Sequence, residues 1–123
     1  MKITSFHPLI ISNQADDIIA LFEALGFERQ HKKEGINDKD ITSVTMKDAN
    51  GFHVDVTRVD EIPQDMLSIR MNVDDFDEAY EFLAARGFKN AQGDKVTDTG
   101  SSHATMMIAP SGLRISLVKH VKQ

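Results

Sequence analysis

Hydrophobic residues follow two periods along this chain, and the periods alternate in a repeated order. The stretch SFHPLIIS (Ser5 to Ser12) reads as a strand, and Ile18, Leu21, Phe22 and Leu25 then fall at helical spacing. Later, MLSIRMNV (Met66 to Val73) reads as a strand, and Phe76, Ala79, Tyr80 and Leu83 follow at the same helical spacing. Asp75, with Glu78 three residues on, predicts an N-cap and its capping-box partner. Gly26 and Gly87 stand where a helix end needs a left-handed residue. Three further strands are expected after each helix, the last two joined by the turns DANG (Asp48 to Gly51) and APSG (Ala109 to Gly112). The second strand of each set is expected near Glu28–Glu34 and Lys89–Thr97.

The two sets keep a common spacing. Gly51 and Gly112 lie 61 residues apart (112 − 51), and the same step carries Gly26 to Gly87, Phe27 to Phe88, Met46 to Met107, Val54 to Ile115 and Val56 to Leu117. No gap is needed between these points, so a duplicated unit is the direct reading. The expected fold class is α+β: two tandem βαβββ modules, residues 1–59 and 66–123 joined by the linker 60–65, forming a single domain with a curved mixed sheet around a cleft.

Strand alternation sorts the side chains onto two faces. Phe52, Val54 and Val56 share one face; His53, Asp55 and Thr57 share the other. Leu67, Ile69, Met71 and Val73 oppose Ser68, Arg70 and Asn72, while Leu113, Ile115 and Leu117 oppose Arg114 and Ser116. The apolar faces are expected to meet the helices. The polar faces are expected to line the cleft, with His7 beside the apolar Leu9 and Ile11 on that side. His7, His53, Asp55, Ser68, Arg70, Asn72, Arg114 and Ser116 are therefore the candidate ligand contacts. Arg70 and Arg114 suit bidentate capture of a carboxylate or phosphate. Asp55, on a partly shielded face, needs a partner to offset its desolvation.

Composition narrows the possibilities. A chain of 123 residues with 41% apolar content can bury a core but not two independent ones. A net charge of −5 argues against general nucleic-acid binding. No apolar run is long enough to span a bilayer, and no secretory h-region opens the chain. With no cysteine there is no disulfide, thiolate nucleophile or Cys-ligated zinc, and the cytoplasm is the expected compartment. Neither GINDKD (Gly35 to Asp40) nor QGDKVTDTGSS (Gln92 to Ser102) has the glycine pattern of a phosphate loop.

The repeated βαβββ order, the histidine of FHPLIIS, the helix ends LGFE and RGFK, and the pair DANGFHVDV and APSGLRISL resemble the vicinal-oxygen-chelate superfamily. That superfamily includes glyoxalases, bleomycin- and fosfomycin-resistance proteins and extradiol dioxygenases. The resemblance covers nearly the whole chain and implies paired modules around a cleft, usually in a homodimer and often with modules paired across subunits. In metal-dependent members it implies ligands at His7, Asp55, Ser68 and Ser116.

Of these four, His7 and Asp55 suit a divalent transition metal. Serine hydroxyls do not at neutral pH, and a catalytic metal needs about three protein ligands. The expectation is therefore a small-molecule-binding protein similar to the bleomycin-resistance branch, without a complete metal site and with no cofactor. The alternatives are a metal-dependent lyase, isomerase or dioxygenase using His7 and Asp55, and a non-catalytic dimeric stress or regulatory module.

Overall fold

A computed structural model describes residues 1–34, 42–98, 100 and 102–120. The elements are β1 (Ile3–Ser12), α1 (Ala15–Ala24), β2 (Glu28–Glu34), β3 (Thr42–Lys47), β4 (His53–Arg58), β5 (Met66–Val73), α2 (Phe76–Ala84), β6 (Lys89–Asn90), β7 (Thr97–Asp98), β8 (Ser102–Ile108) and β9 (Arg114–His120). The fold is α+β: the first half runs βαβββ, and the second follows the same order with its second strand broken into the short pairs β6 and β7. The segment 35–41, which contains GINDKD, lies outside the described residues. No helix among the described residues is long and apolar enough to cross a membrane.

Two compact units make up the chain. The first is His7–Leu67; the second comprises Met1–Phe6 and the residues from Ser68 onward.

In the first unit the strands lie in the order β2-β3-β4-β1, with β1 parallel to β4 and the other neighbours antiparallel. Val44, Met46, Val54 and Val56 form the sheet side of the core, and Ala15 and Ile19 of α1 close it. Ile10, Ile18, Phe22 and Phe27 pack around the margin. The helix therefore buries the stripe Ala15, Ile18, Ile19 and Phe22 rather than the expected Ile18, Leu21, Phe22 and Leu25. Leu21 is 53% exposed and Leu25 63%. The two stripes share Ile18 and Phe22, so spacing alone does not choose between them; contact with Val44 and Val56 does. At the far end Gly26 has φ of 103° and Phe27 N–H donates to Phe22 O at 2.9 Å, as a left-handed helix stop requires. The Phe27 ring then meets Phe22 edge-on, 5.3 Å between centroids.

In the second unit the order is β5-β9-β8-β6, with β7 also on β8, and β5 runs parallel to β9. Phe76, Ala79 and Leu83 of α2 seal Met71, Val73, Met107, Ile115 and Leu117, with Tyr80 and Phe88 at the edge. This is the stripe the spacing predicts. Asp75 caps the helix, accepting from Glu78 N–H at 3.0 Å. The capping box is not completed, because the Glu78 carboxylate takes the Met1 ammonium instead. A single second strand over 89–97 is also not formed. Two residue pairs, β6 and β7, flank a turn through Gly93, where φ is 74°. Side chains hold this segment: Thr105 donates to Asn90 Oδ1, and Gln92 Nε2 donates to Thr97 and Thr105 hydroxyls at 3.1 and 3.2 Å.

The pairing register repeats with the sequence step. Met46 faces Val54 and Met107 faces Ile115; Leu9 faces Asp55 and Arg70 faces Ser116. Three residues expected on the inward faces are instead open to solvent, namely Phe52 at 65%, Leu67 at 74% and Leu113 at 49%. Phe52 and Leu113 immediately precede their strands and Leu67 is the second residue of its own, so alternation overestimates how far each core extends.

Candidate functional site

The first unit gathers His7, His53 and Asp55. The parallel register of β1 on β4 sets Leu9 opposite Asp55, and His7 and His53 lie one step earlier on each strand. Residues two apart on a strand share a face, so the three side chains emerge together. His7 Nε2 lies 2.9 Å from Asp55 Oδ1. The pair is deeply set: the His7 side chain is 9% exposed and that of Asp55 not at all. It stands at charge-pairing distance without the alignment of a well-directed hydrogen bond. His53 lies outermost, its ring stacked on that of His7 with 5.5 Å between centroids and 28° between planes.

Burial here has a specific cause. Leu9 and Ile11, each 7% exposed, share the His7 face and exclude water from its inner end. Thr45 of β3 stands across from Asp55 on the other side. A carboxylate removed from water is tolerable only with polar or cationic company, and the His7 imidazole supplies part of it. Chemically the trio is a buried carboxylate, a shielded imidazole beside it and an exposed second imidazole. That arrangement can hold a proton or hydrogen-bond a polar ligand.

The other candidates lie on the polar face of the second unit. Ser68, 3% exposed, donates its hydroxyl to Arg114 O at 3.1 Å and lies 3.6 Å from Met106 Sδ. Arg70 Nε donates to Asn72 Oδ1 at 3.2 Å, with Asn72 itself buried. Ser116 faces Arg70 across the parallel pair, and both are half-buried, as is Arg114. Met106, directly across from Ser116 on β8, joins this face. The sequence signal for it was only a position within an apolar strand.

Whether these residues suit a divalent metal turns on their donor atoms. His7 Nε2 and Asp55 Oδ1 are chemically suited and close together. The Ser68 hydroxyl is committed to a backbone carbonyl. Among the described residues no three His, Asp or Glu side chains converge as a metal would require. Among the described residues His7 and Asp55 thus supply two suited donors, short of the usual set for a catalytic metal.

One surface concavity went unforeseen. It measures about 210 Å³ and is lined by Asn13, Gln14, Ala15, Asp16, Asp17 and Arg58 at the start of α1. None of the candidate residues lines it.

Solved structures share this architecture. Methylmalonyl-CoA epimerase from Mycobacterium tuberculosis superposes with a TM-score of 0.75 at 16% identity, covering 98% of this chain and 90% of that one. The fold is that of the vicinal oxygen chelates. A methylmalonyl-CoA epimerase variant from Streptomyces coelicolor, in complex with 2-nitronate-propionyl-CoA, gives 0.72 at 15% identity, covering 98% and 96%. A glyoxalase/bleomycin resistance protein/dioxygenase superfamily member from Vibrio splendidus 12B01 gives 0.62 at 17%, covering 96% and 99%. No known family's sequence profile matches the chain, and no curated protein matches it significantly in sequence. The vicinal-oxygen-chelate fold thus rests on backbone geometry. One fold hosts many chemistries, so function is argued from the side chains.

Proposed function

We propose that this protein binds a small molecule on its polar sheet surface, centred on His7 and Asp55, and does so without a resident catalytic metal. The observation that carries the reading is the buried His7–Asp55 pair at 2.9 Å. A carboxylate kept out of water beside an imidazole is costly to maintain for structure alone, and such groups concentrate at functional sites. The occupied Ser68 hydroxyl supports the metal-free part of the proposal.

The test is a ligand screen by thermal shift, run on wild type, His7→Ala and Asp55→Asn. A compound that raises the melting temperature of wild type and of neither variant supports the site. Ligands that stabilise all three equally count against it. Elemental analysis of protein purified without chelators addresses the metal. Stoichiometric zinc, nickel, manganese or iron that disappears in His7→Ala would overturn the metal-free part.

A second reading follows from the same pair. A carboxylate and an imidazole in contact are the minimum for moving a proton to and from carbon, and several structural neighbours are methylmalonyl-CoA epimerases. Deuterium uptake into methylmalonyl-CoA in heavy water, abolished by Asp55→Asn, would favour catalysis over binding. The reading also includes a cytoplasmic homodimer. The apolar side chains left in solvent, among them Phe52 and Leu67, support self-association, and sedimentation velocity tests it.

A further inference from the structure

We infer that the β5–β9 face of the second unit receives an oxyanion, a carboxylate or phosphate group, through Arg114 with Arg70 beside it. This deepens the small-molecule reading and rests on it. The first support is charge distribution. The protein carries 19 acidic residues, yet none lies in β5, β8 or β9. The polar face of these strands carries the guanidinium groups of Arg70 and Arg114, in a chain of net charge −5.

The second support is geometry. Ser116 stands directly across from Arg70, and Arg114 lies two residues earlier on the same strand, hence on the same face. Diagonal neighbours on adjacent strands lie roughly 7–8 Å apart, a separation two guanidinium groups span around a small anion. Asn72 accepts from Arg70 Nε and thereby orients that side chain. Arg114 has no carboxylate partner among the described residues, although it is half-buried. A partly desolvated guanidinium of this kind gains more from an arriving anion than a solvated lysine does.

The experiment is a titration of nitrogen-15-labelled protein with inorganic phosphate and, separately, with malonate, at constant ionic strength held with chloride. The readout is the arginine Nε–H and backbone amide signals. Saturable shifts at Arg114 and Ser116 are expected, weakened about tenfold or more in affinity by Arg114→Gln and less by Arg114→Lys. Lys119→Gln, on the same strand but the opposite face, is expected to leave affinity unchanged. The anion that binds more tightly identifies phosphate or carboxylate as the preferred group. Absence of saturation with both anions, or equal binding by wild type and Arg114→Gln, would overturn the inference. If neutral compounds still perturb His7 and Asp55 in that case, the anion site fails alone; if they do not, the binding reading fails with it.

Discussion

Asp55 and Ser116 occupy the same step of two parallel strand pairs, Asp55 opposite Leu9 and Ser116 opposite Arg70. One is a fully buried carboxylate, the other a half-buried hydroxyl. The repeat has therefore kept its backbone pairing while the chemistry at one step has diverged. A buried acid persists only where neighbours offset its desolvation, and His7 is such a neighbour.

Truncating the acid exposes that dependence. Asp55→Ala is expected to lower stability by about 2 kcal/mol, since it strands a shielded imidazole. His7→Ala is expected to cost a similar amount, and the double variant less than the sum. Urea denaturation of the three variants measures this. Strict additivity would mean that the 2.9 Å contact is energetically idle.

Val44 and Thr105 are equivalent under the repeat, and only Thr105 is polar. Thr105→Val keeps the shape but removes the hydroxyl bonded to Asn90 and Gln92. A loss of about 1 kcal/mol is expected. Faster hydrogen exchange at Ala91 and Gln92, with little change in α2, would locate the effect in the segment that the network holds.

Gly26 and Gly87 end their helices at φ of 103° and 92°. A Cβ at Gly26 would meet nothing within 4 Å, whereas one at Gly87 would lie 3.1 Å from Pro110 Cγ. Gly26→Ala is expected to cost about 1 kcal/mol from backbone strain alone. Gly87→Ala adds steric crowding, so its midpoint in thermal unfolding should fall further. Equal losses would show that Pro110 yields freely.

Asp74 accepts from Lys2 N–H at 2.6 Å, and that bond holds its carboxyl below the ordinary value of 3.8. A lowered folded-state pKa gives stabilisation that is present above 3.8 and lost as pH falls through the still lower folded value. Asp74→Ala should therefore be less stable than wild type at neutral pH. The gap should close under acid conditions below 3.8. Melting curves across that range decide it, and a gap that persists in strong acid would assign the effect to packing.

Much of the architecture was legible because it rests on short-range regularities. The left-handed turns at Gly26 and Gly87, the Asp75 cap and the Phe76–Ala79–Leu83 stripe each depend on residues within one or two helical turns. The polar candidates on alternating strand positions were legible for the same reason. Structure departs from local pattern where local options compete. Glu78 could serve its own cap or the Met1 ammonium, and the ammonium prevails. One strand was expected over residues 89–97, a polar stretch that contains Gly93, but Asn90, Gln92 and Thr97 find side-chain partners that a ladder would not offer them.

By itself the sequence determined the order of the helices and the longer strands, the glycine stops and the step that relates the two halves, since periodicity and turn chemistry act locally. Only tertiary structure decided which stripe of α1 is buried, because Ile18 and Phe22 belong to both candidates and the sheet selects between them. Only tertiary structure brought His7 against Asp55, which are 48 residues apart (55 − 7), because that contact depends on the register of β1 on β4. It also engaged the Ser68 hydroxyl with the Arg114 carbonyl, a backbone partner that no side-chain pattern encodes.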